Sequence, residues 1–185
     1  EGITPERVFD CIYDTKVRPK WDTVISNPTS IEQIDEFNDY FYFMVKVVYS
    51  SLKKVRTCPL IGPVGISNRD FVQKRCYQKD YPSKGSIMIS FQSTTHPKVP
   101  PMKGTIRAET HIAGYIMRPF NNGQDTDFGD FTGRYQGNDI LIYNQNLTIY
   151  ITGINSKAIV NFVAGKAPAE WISKLKKACK GNIKE

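Results

Sequence analysis

Residues 154–180 carry apolar side chains at Ile159, Phe162, Val163, Trp171, Ile172, Leu175, Ala178 and Cys179. Spacings of three and four are the pattern of an amphipathic helix, whose apolar stripe must be covered. The opposite face holds Lys157, Lys166, Glu170, Lys174, Lys176 and Lys177. Unbroken, such a helix is roughly 40 Å long at about 1.5 Å per residue. Pro168 lacks an N–H and clashes with the preceding turn, so the spacing predicts a kink there or two helices in tandem. Residues 40–151 read mainly as strand. A long terminal helix and a run of β-structure have to bury their apolar faces against each other, which predicts an α+β fold.

The 185 residues suit one domain with a substantial core. No apolar run approaches the roughly 20 residues of a membrane span. The chain opens without a secretory pattern, on residues that read as the middle of a fold, so an upstream segment is expected. The cysteines, at 11, 58, 76 and 179, have no CxxC spacing. They are read as reduced thiols in a cytoplasmic protein, with zinc not expected. The net charge of +7 points to anionic partners such as an acidic membrane surface or nucleic acid, or to a solvated basic surface.

Thr4, Pro5 and Glu6 form a helix start, followed by the buried-face residues Val8, Phe9, Ile12 and Tyr13. Trp21 then reads as a core anchor in a short turn or helix. Residues 31–37 are a weak strand candidate and 40–49 a strong one, with the turn at 35–39. Residues 69–77 alternate, placing Arg69, Phe71, Gln73 and Arg75 on one face and Asp70, Val72, Lys74 and Cys76 on the other. A turn at 80–85 leads to a strand at 86–95, with Ile87, Ile89 and Phe91 on one face. The prolines between His96 and Pro101 stiffen a connection to a strand at 105–117, bent near Gly114. The Asn- and Gly-rich residues 121–137 predict a long mobile loop or hairpin tip, and 138–152 a last strand.

Enzyme signatures such as GxSxG, HExxH, the P-loop and GxGxxG are missing, and the two histidines, His96 and His111, are read as structural. The unusual residues are the strand arginines, Arg75 and Arg107. If the Phe71 face points inward, Arg75 is a buried cation. It then requires a carboxylate, a bound anion or ordered water. The alternatives are an ion pair, with Glu109 as a candidate partner, or an Arg75 that points into solvent.

Several ordered motifs resemble the START domain, a lipid-transfer module. They are Arg18-Pro19-Lys20-Trp21-Asp22; Ser67-Asn68-Arg69-Asp70-Phe71-Val72 followed by Arg75; His96-Pro97 through Pro100-Pro101, Gly104 and Ile106-Arg107; Gly114 and Pro119; and Pro168-Ala169-Glu170-Trp171. The Asn68 motif is closer to the phosphatidylcholine-transfer branch, and the His96 stretch to the sterol-handling branch. The resemblance implies a helix-grip fold: a curved antiparallel sheet around a long C-terminal helix, enclosing an apolar tunnel for one lipid. It also implies a single domain over residues 1–185, lacking the family's N-terminal helix and first strands. The last strand departs from the family's pattern, with Tyr150 in place of an Asp and Ser156 in place of a Pro.

The resemblance further implies a non-enzymatic carrier, without cofactor, that moves lipid between membranes as a monomer. The implied ligand-binding residues are Arg69, Phe71, Arg75, Ile89, Phe91, Arg107, Ile159, Phe162 and Val163. Sterol-handling members pair the Arg75 position with an acid on the preceding strand. An ungapped count back reaches Arg56, a base, so an unpaired Arg75 is expected to hold a phospholipid head group. A sterol or other neutral lipid is the alternative ligand, and a nucleic-acid binder or lipid hydrolase are further rivals. Lys174, Lys176, Lys177 and Lys180 are the expected contacts to an anionic membrane. The terminal helix and the loop at 119–137 are the candidate lid.

Overall fold

The computed structural model describes residues 2–45, 68–136, 139–143 and 169–181. Helix α1, Pro5–Tyr13, begins at Thr4, whose hydroxyl accepts the Arg7 N–H (3.4 Å). A 3₁₀ turn, Arg18–Lys20, follows. Among the described residues eight strands come next: β1 (Ile25–Gln33), β2 (Asn38–Val45), β3 (Asn68–Lys79), β4 (Ile87–Ser93), β5 (Thr105–Arg107), β6 (Ile112–Phe120), β7 (Asp125–Gln136) and β8 (Asp139–Tyr143). They form one sheet in the order β1-β2-β3-β4-β6-β7-β8, antiparallel throughout; β5 runs parallel to β3 on the part of its edge that β4 leaves unpaired. Helix α2 spans 169–179 and ends at Gly181, in the left-handed region at φ +77°.

The register assigns the faces. Asp39, Phe41, Phe43 and Val45 of β2 align with Arg75, Gln73, Phe71 and Arg69 of β3. Tyr77, Arg75 and Gln73 continue across to Ile89, Phe91 and Ser93 of β4. Ile87, Ile89 and Phe91 then meet Met117, Tyr115 and Ala113 of β6. This is the inner face. Its β4–β6 part is covered by both helices, because Ile87, Ile89, Tyr115 and Met117 share one core with Val8, Cys11 and Ile12 of α1, Trp21, and Leu175, Ala178 and Cys179 of α2. The expected buried faces of both helices are therefore found. Trp21 is the core anchor: 5% exposed, its indole N–H donates to the Cys11 carbonyl at 2.8 Å. The remainder of the expected 154–180 helix and of the 138–152 strand lies outside the described residues.

Three sequence expectations need correction. The first strand is Ile25–Gln33 rather than 31–37. Asn27 sits at φ +53° before Pro28, and the pairing slips between Ser26 and Thr29. Such a bulge hides a strand from pattern reading, and an edge strand tolerates its proline. The expected loop at 121–137 is mostly β7. The turn is confined to residues 121–124, with Asn121, Asn122 and Gly123 at φ +52°, +55° and +81°, while pairing with β6 overrides the poor strand propensity that follows. Finally, the expected strand at 105–117 is two strands, because β5 pairs with β3 whereas β6 pairs with β4 and β7.

Gly114 is required by close packing. A Cβ there would fall on the Ile89 carbonyl and on the Phe131 ring. Gly114→Ala is expected to lower stability by about 3 kcal/mol through overpacking, read as a reduced urea midpoint.

Candidate functional site

The inner face carries an aromatic lining across the sheet. Phe43 and Phe71 stack at 4.7 Å, with Phe41 beside Phe43 at 5.5 Å. Phe91 meets Tyr115 at 5.5 Å, and Tyr115 stacks on Phe128 at 5.4 Å and on Trp171 of α2 at 5.7 Å. Period-two alternation aims these side chains to one side. Phe43, Phe71 and Phe91 are only half-buried among the described residues. Apolar surface of this kind is suited to receiving acyl chains or a ring system.

Arg75 lies on this face, between the Tyr13 ring at 4.1 Å and the Phe41 ring at 3.7 Å. Its Nε donates to Asp39 Oδ1 at 2.9 Å and its Nη2 to Asp39 Oδ2 at 2.6 Å. Nη1 donates to the Tyr13 carbonyl at 3.2 Å. Asp39 also accepts from the Ser30 hydroxyl (2.7 Å) and the Tyr13 phenol (3.4 Å). The two charged side chains are 5% and 2% exposed. This is a bidentate, charge-assisted pair in which each guanidinium nitrogen and each carboxylate oxygen has at least one partner. Burial pushes the Tyr13 phenol up to about 12; Arg75 opposes that rise and Asp39 adds to it.

The expectation of an unpaired Arg75 is thus corrected. Its carboxylate is neither absent nor that of Glu109, which is exposed; it is Asp39, directly opposite on β2. The ungapped count reached Arg56, whereas the register sets Asp39 opposite Arg75. Asp39 was legible only as a turn residue.

A second polar knot sits where α2 meets the sheet. Asp22 accepts from Arg18 Nε (3.2 Å), the Trp171 indole (3.1 Å) and the Val24 N–H (3.1 Å). Burial pushes the nearby Tyr115 phenol up, against the pull of Arg18. Asp22 was read only as part of a motif; its role emerges from the approach of α2.

Arg69, Phe71, Ile89 and Phe91 share the inner face with Arg75, as the alternation predicts, with Ile89 already packed beneath the helices. Arg107 does not. It forks onto Asp70 on the outer face, Nε to Oδ1 and Nη2 to Oδ2, both at 2.9 Å, and also donates to the Val99 and Pro100 carbonyls at 3.3 and 3.4 Å. It therefore clamps the proline-rich connection, and its expected ligand role is corrected. Ile159, Phe162 and Val163 lie outside the described residues. Lys176, Lys177 and Lys180 are exposed, whereas Lys174 is held by Glu170 at 3.1 Å and the Thr23 hydroxyl at 2.9 Å. His96 is buried on the Tyr40 ring at 4.8 Å, accepting the Lys98 N–H at Nδ1; His111 is exposed.

Arg75→Ala strands a buried carboxylate and is expected to cost about 3–5 kcal/mol, whereas Arg75→Met combined with Asp39→Leu recovers most of that loss; denaturant titration of the three proteins distinguishes them. Between pH 10 and about 12 the folded state keeps the Tyr13 proton that the unfolded state releases, so stability falls as pH rises. Tyr13→Phe is expected to flatten that alkaline decline, measured as unfolding free energy against pH.

The START domain family profile matches residues 2–129. Human START domain-containing protein 10 is 24% identical over 116 residues, which are 63% of this chain and 34% of that protein. Rat acetyl-coenzyme A thioesterase is 24% identical over 124 residues, 66% of this chain and 20% of that enzyme. The chain therefore spans about a third or less of the length of these relatives. The solved structure of human StAR-related lipid transfer protein 5 superimposes with a TM-score of 0.69 at 20% identity, covering 97% of this chain and 72% of that one, which shows a shared fold. With its sheet, its two flanking helices and the matched profile, the chain belongs to the START domain family.

Proposed function

We propose that this domain binds one lipid against the aromatic inner face and carries it between membranes. START membership and the half-buried Phe43, Phe71 and Phe91 support this reading. Each methylene removed from water contributes about 0.8 kcal/mol, so chain burial supplies most of the affinity. The domain acts as a carrier rather than a hydrolase; the described histidines, one buried against the Tyr40 ring and one exposed, support that. A cytoplasmic monomer that visits membranes transiently fits this role.

The lipid is proposed to be a sterol or another neutral lipid. One observation carries this choice: the Arg75–Asp39 fork leaves no net charge to attract a phosphate. A phospholipid head group would have to displace Asp39, leaving an uncompensated buried carboxylate. A hydroxyl can instead bond at the rim of a neutral pair. Native mass spectrometry of the purified protein, followed by organic extraction, is expected to release a neutral lipid bound one to one. A phospholipid at the same stoichiometry would overturn the head-group choice and keep the carrier. An empty protein that extracts nothing from vesicles would overturn the carrier.

Lys176, Lys177 and Lys180 are proposed to hold α2 to an anionic leaflet at about 1 kcal/mol each. Binding to phosphatidylserine vesicles is expected to weaken steeply between low and physiological salt. Replacing all three lysines by glutamine should remove most of that salt dependence in a flotation assay.

A further inference from the structure

We propose that the connection over residues 98–106 is a docking tip for an anionic bilayer, with Met102 and Ile106 entering its apolar layer. That this docking serves lipid exchange at the inner face rests on the carrier reading above. Pro100, Pro101, Met102, Lys103 and Gly104 are exposed in succession. Met102 is 43% exposed and Ile106 44%. Large apolar side chains left in water on an exposed turn, beside basic residues, suit insertion into a membrane interface.

The fold places this tip beside the candidate binding face. β5 pairs with the first three residues of β3, which sets Ile106 level with Arg69. Face parity then puts Ile106 on the inner side, one inward position before Phe71, which stacks on Phe43. Ile106 is therefore an exposed apolar residue at the end of the inner face. The tip is also held stiff. Arg107 donates to the Val99 and Pro100 carbonyls while forked onto Asp70. The Val99 N–H donates to the His96 carbonyl at 3.0 Å, and the Lys98 N–H to His96 Nδ1 at 3.3 Å. The Thr105 N–H donates to the Met102 carbonyl at 3.2 Å, across a turn that Gly104 permits at φ +81°. A tip ordered in advance loses little freedom on insertion.

Charge selects both the partner and this end of the molecule. Lys98, Lys103 and Arg107 stand between His96 and Ala108, and no acid does. Glu32 offsets Lys98 at 2.7 Å and Asp70 offsets Arg107 at 2.9 Å, which leaves the exposed Lys103 beside Met102. The turns at the opposite end of the sheet also expose large apolar side chains, Phe37, Tyr81 and Phe120. Those turns carry Asp35, Glu36, Asp80 and Asp125. An anionic surface favours the tip that has no carboxylate.

The test uses the full chain in a Cys58→Ser/Cys76→Ser form, in which the remaining Cys11 and Cys179 are buried. Met102→Cys carries an environment-sensitive fluorophore, and Lys84→Cys, exposed in the turn between β3 and β4, is the control. With vesicles of phosphatidylcholine and phosphatidylserine, the label at 102 is expected to shift to the blue and to be quenched by chain-brominated lipid, and the label at 84 is not. In flotation, unlabelled Met102→Asp/Ile106→Asp should bind these vesicles on the order of tenfold more weakly, while Met102→Leu/Ile106→Leu binds like the parent. A label at 102 that stays in water while the protein floats overturns the tip and leaves the carrier reading standing. Flotation of the aspartate variant at the parent's level does the same, and a parent that never floats also overturns the docking. A tip that inserts in a protein that transfers no lipid between vesicles overturns the carrier reading and leaves the docking surface standing.

Discussion

The buried fork between Arg75 and Asp39 ties together three parts of the molecule. It joins β2 to β3 at one register position and reaches the last carbonyl and ring of α1 through Tyr13. Taking two charges out of water is costly, and the pair persists because its geometry is bidentate and further hydrogen bonds from Ser30 and to the Tyr13 carbonyl support it. Its structural value is specificity. A one-residue slip of β2 on β3 would turn Asp39 to the outer face and leave Arg75 without its carboxylate. The same slip would separate the stacked Phe43 and Phe71. The inner face therefore depends on a register that this pair helps to fix.

Arg75 and Arg107 show how face decides role. Both are strand arginines, and both meet an aspartate through Nε and Nη2. Arg75 does so beneath aromatic rings on the side that faces the helices. Arg107 does so on the outer side, where its remaining N–H groups reach the Val99 and Pro100 carbonyls. One organises the candidate binding face, and the other fastens the stiff connection between β4 and β5. Equal chemistry on opposite sides of a pleated sheet sets one arginine on the candidate binding face and makes the other a clasp.

The two helices complete the inner face from the ends of the sequence. Trp21 and Trp171 meet edge to face at 5.2 Å, and the Asp22 carboxylate accepts the Trp171 indole N–H while paired with Arg18. Arg7 meanwhile satisfies the last carbonyls of α2. Desolvated aromatic surface supplies the attraction, and the directional bonds set how α2 lies.

Local patterns determined much of this protein. The N-cap at Thr4, the apolar stripes of α1 and α2, the alternation from Arg69 to Tyr77 and the motifs shared with START domains were all legible, because each depends on neighbours within a few residues. The bulged β1 and the Gly-rich β7 were not, since cross-strand pairing there outweighs local preference. The acid for Arg75 and the outward turn of Arg107 were also beyond local reading. Which carboxylate meets an arginine is settled by strand register and face parity across long sequence separations, and only the tertiary structure fixes those.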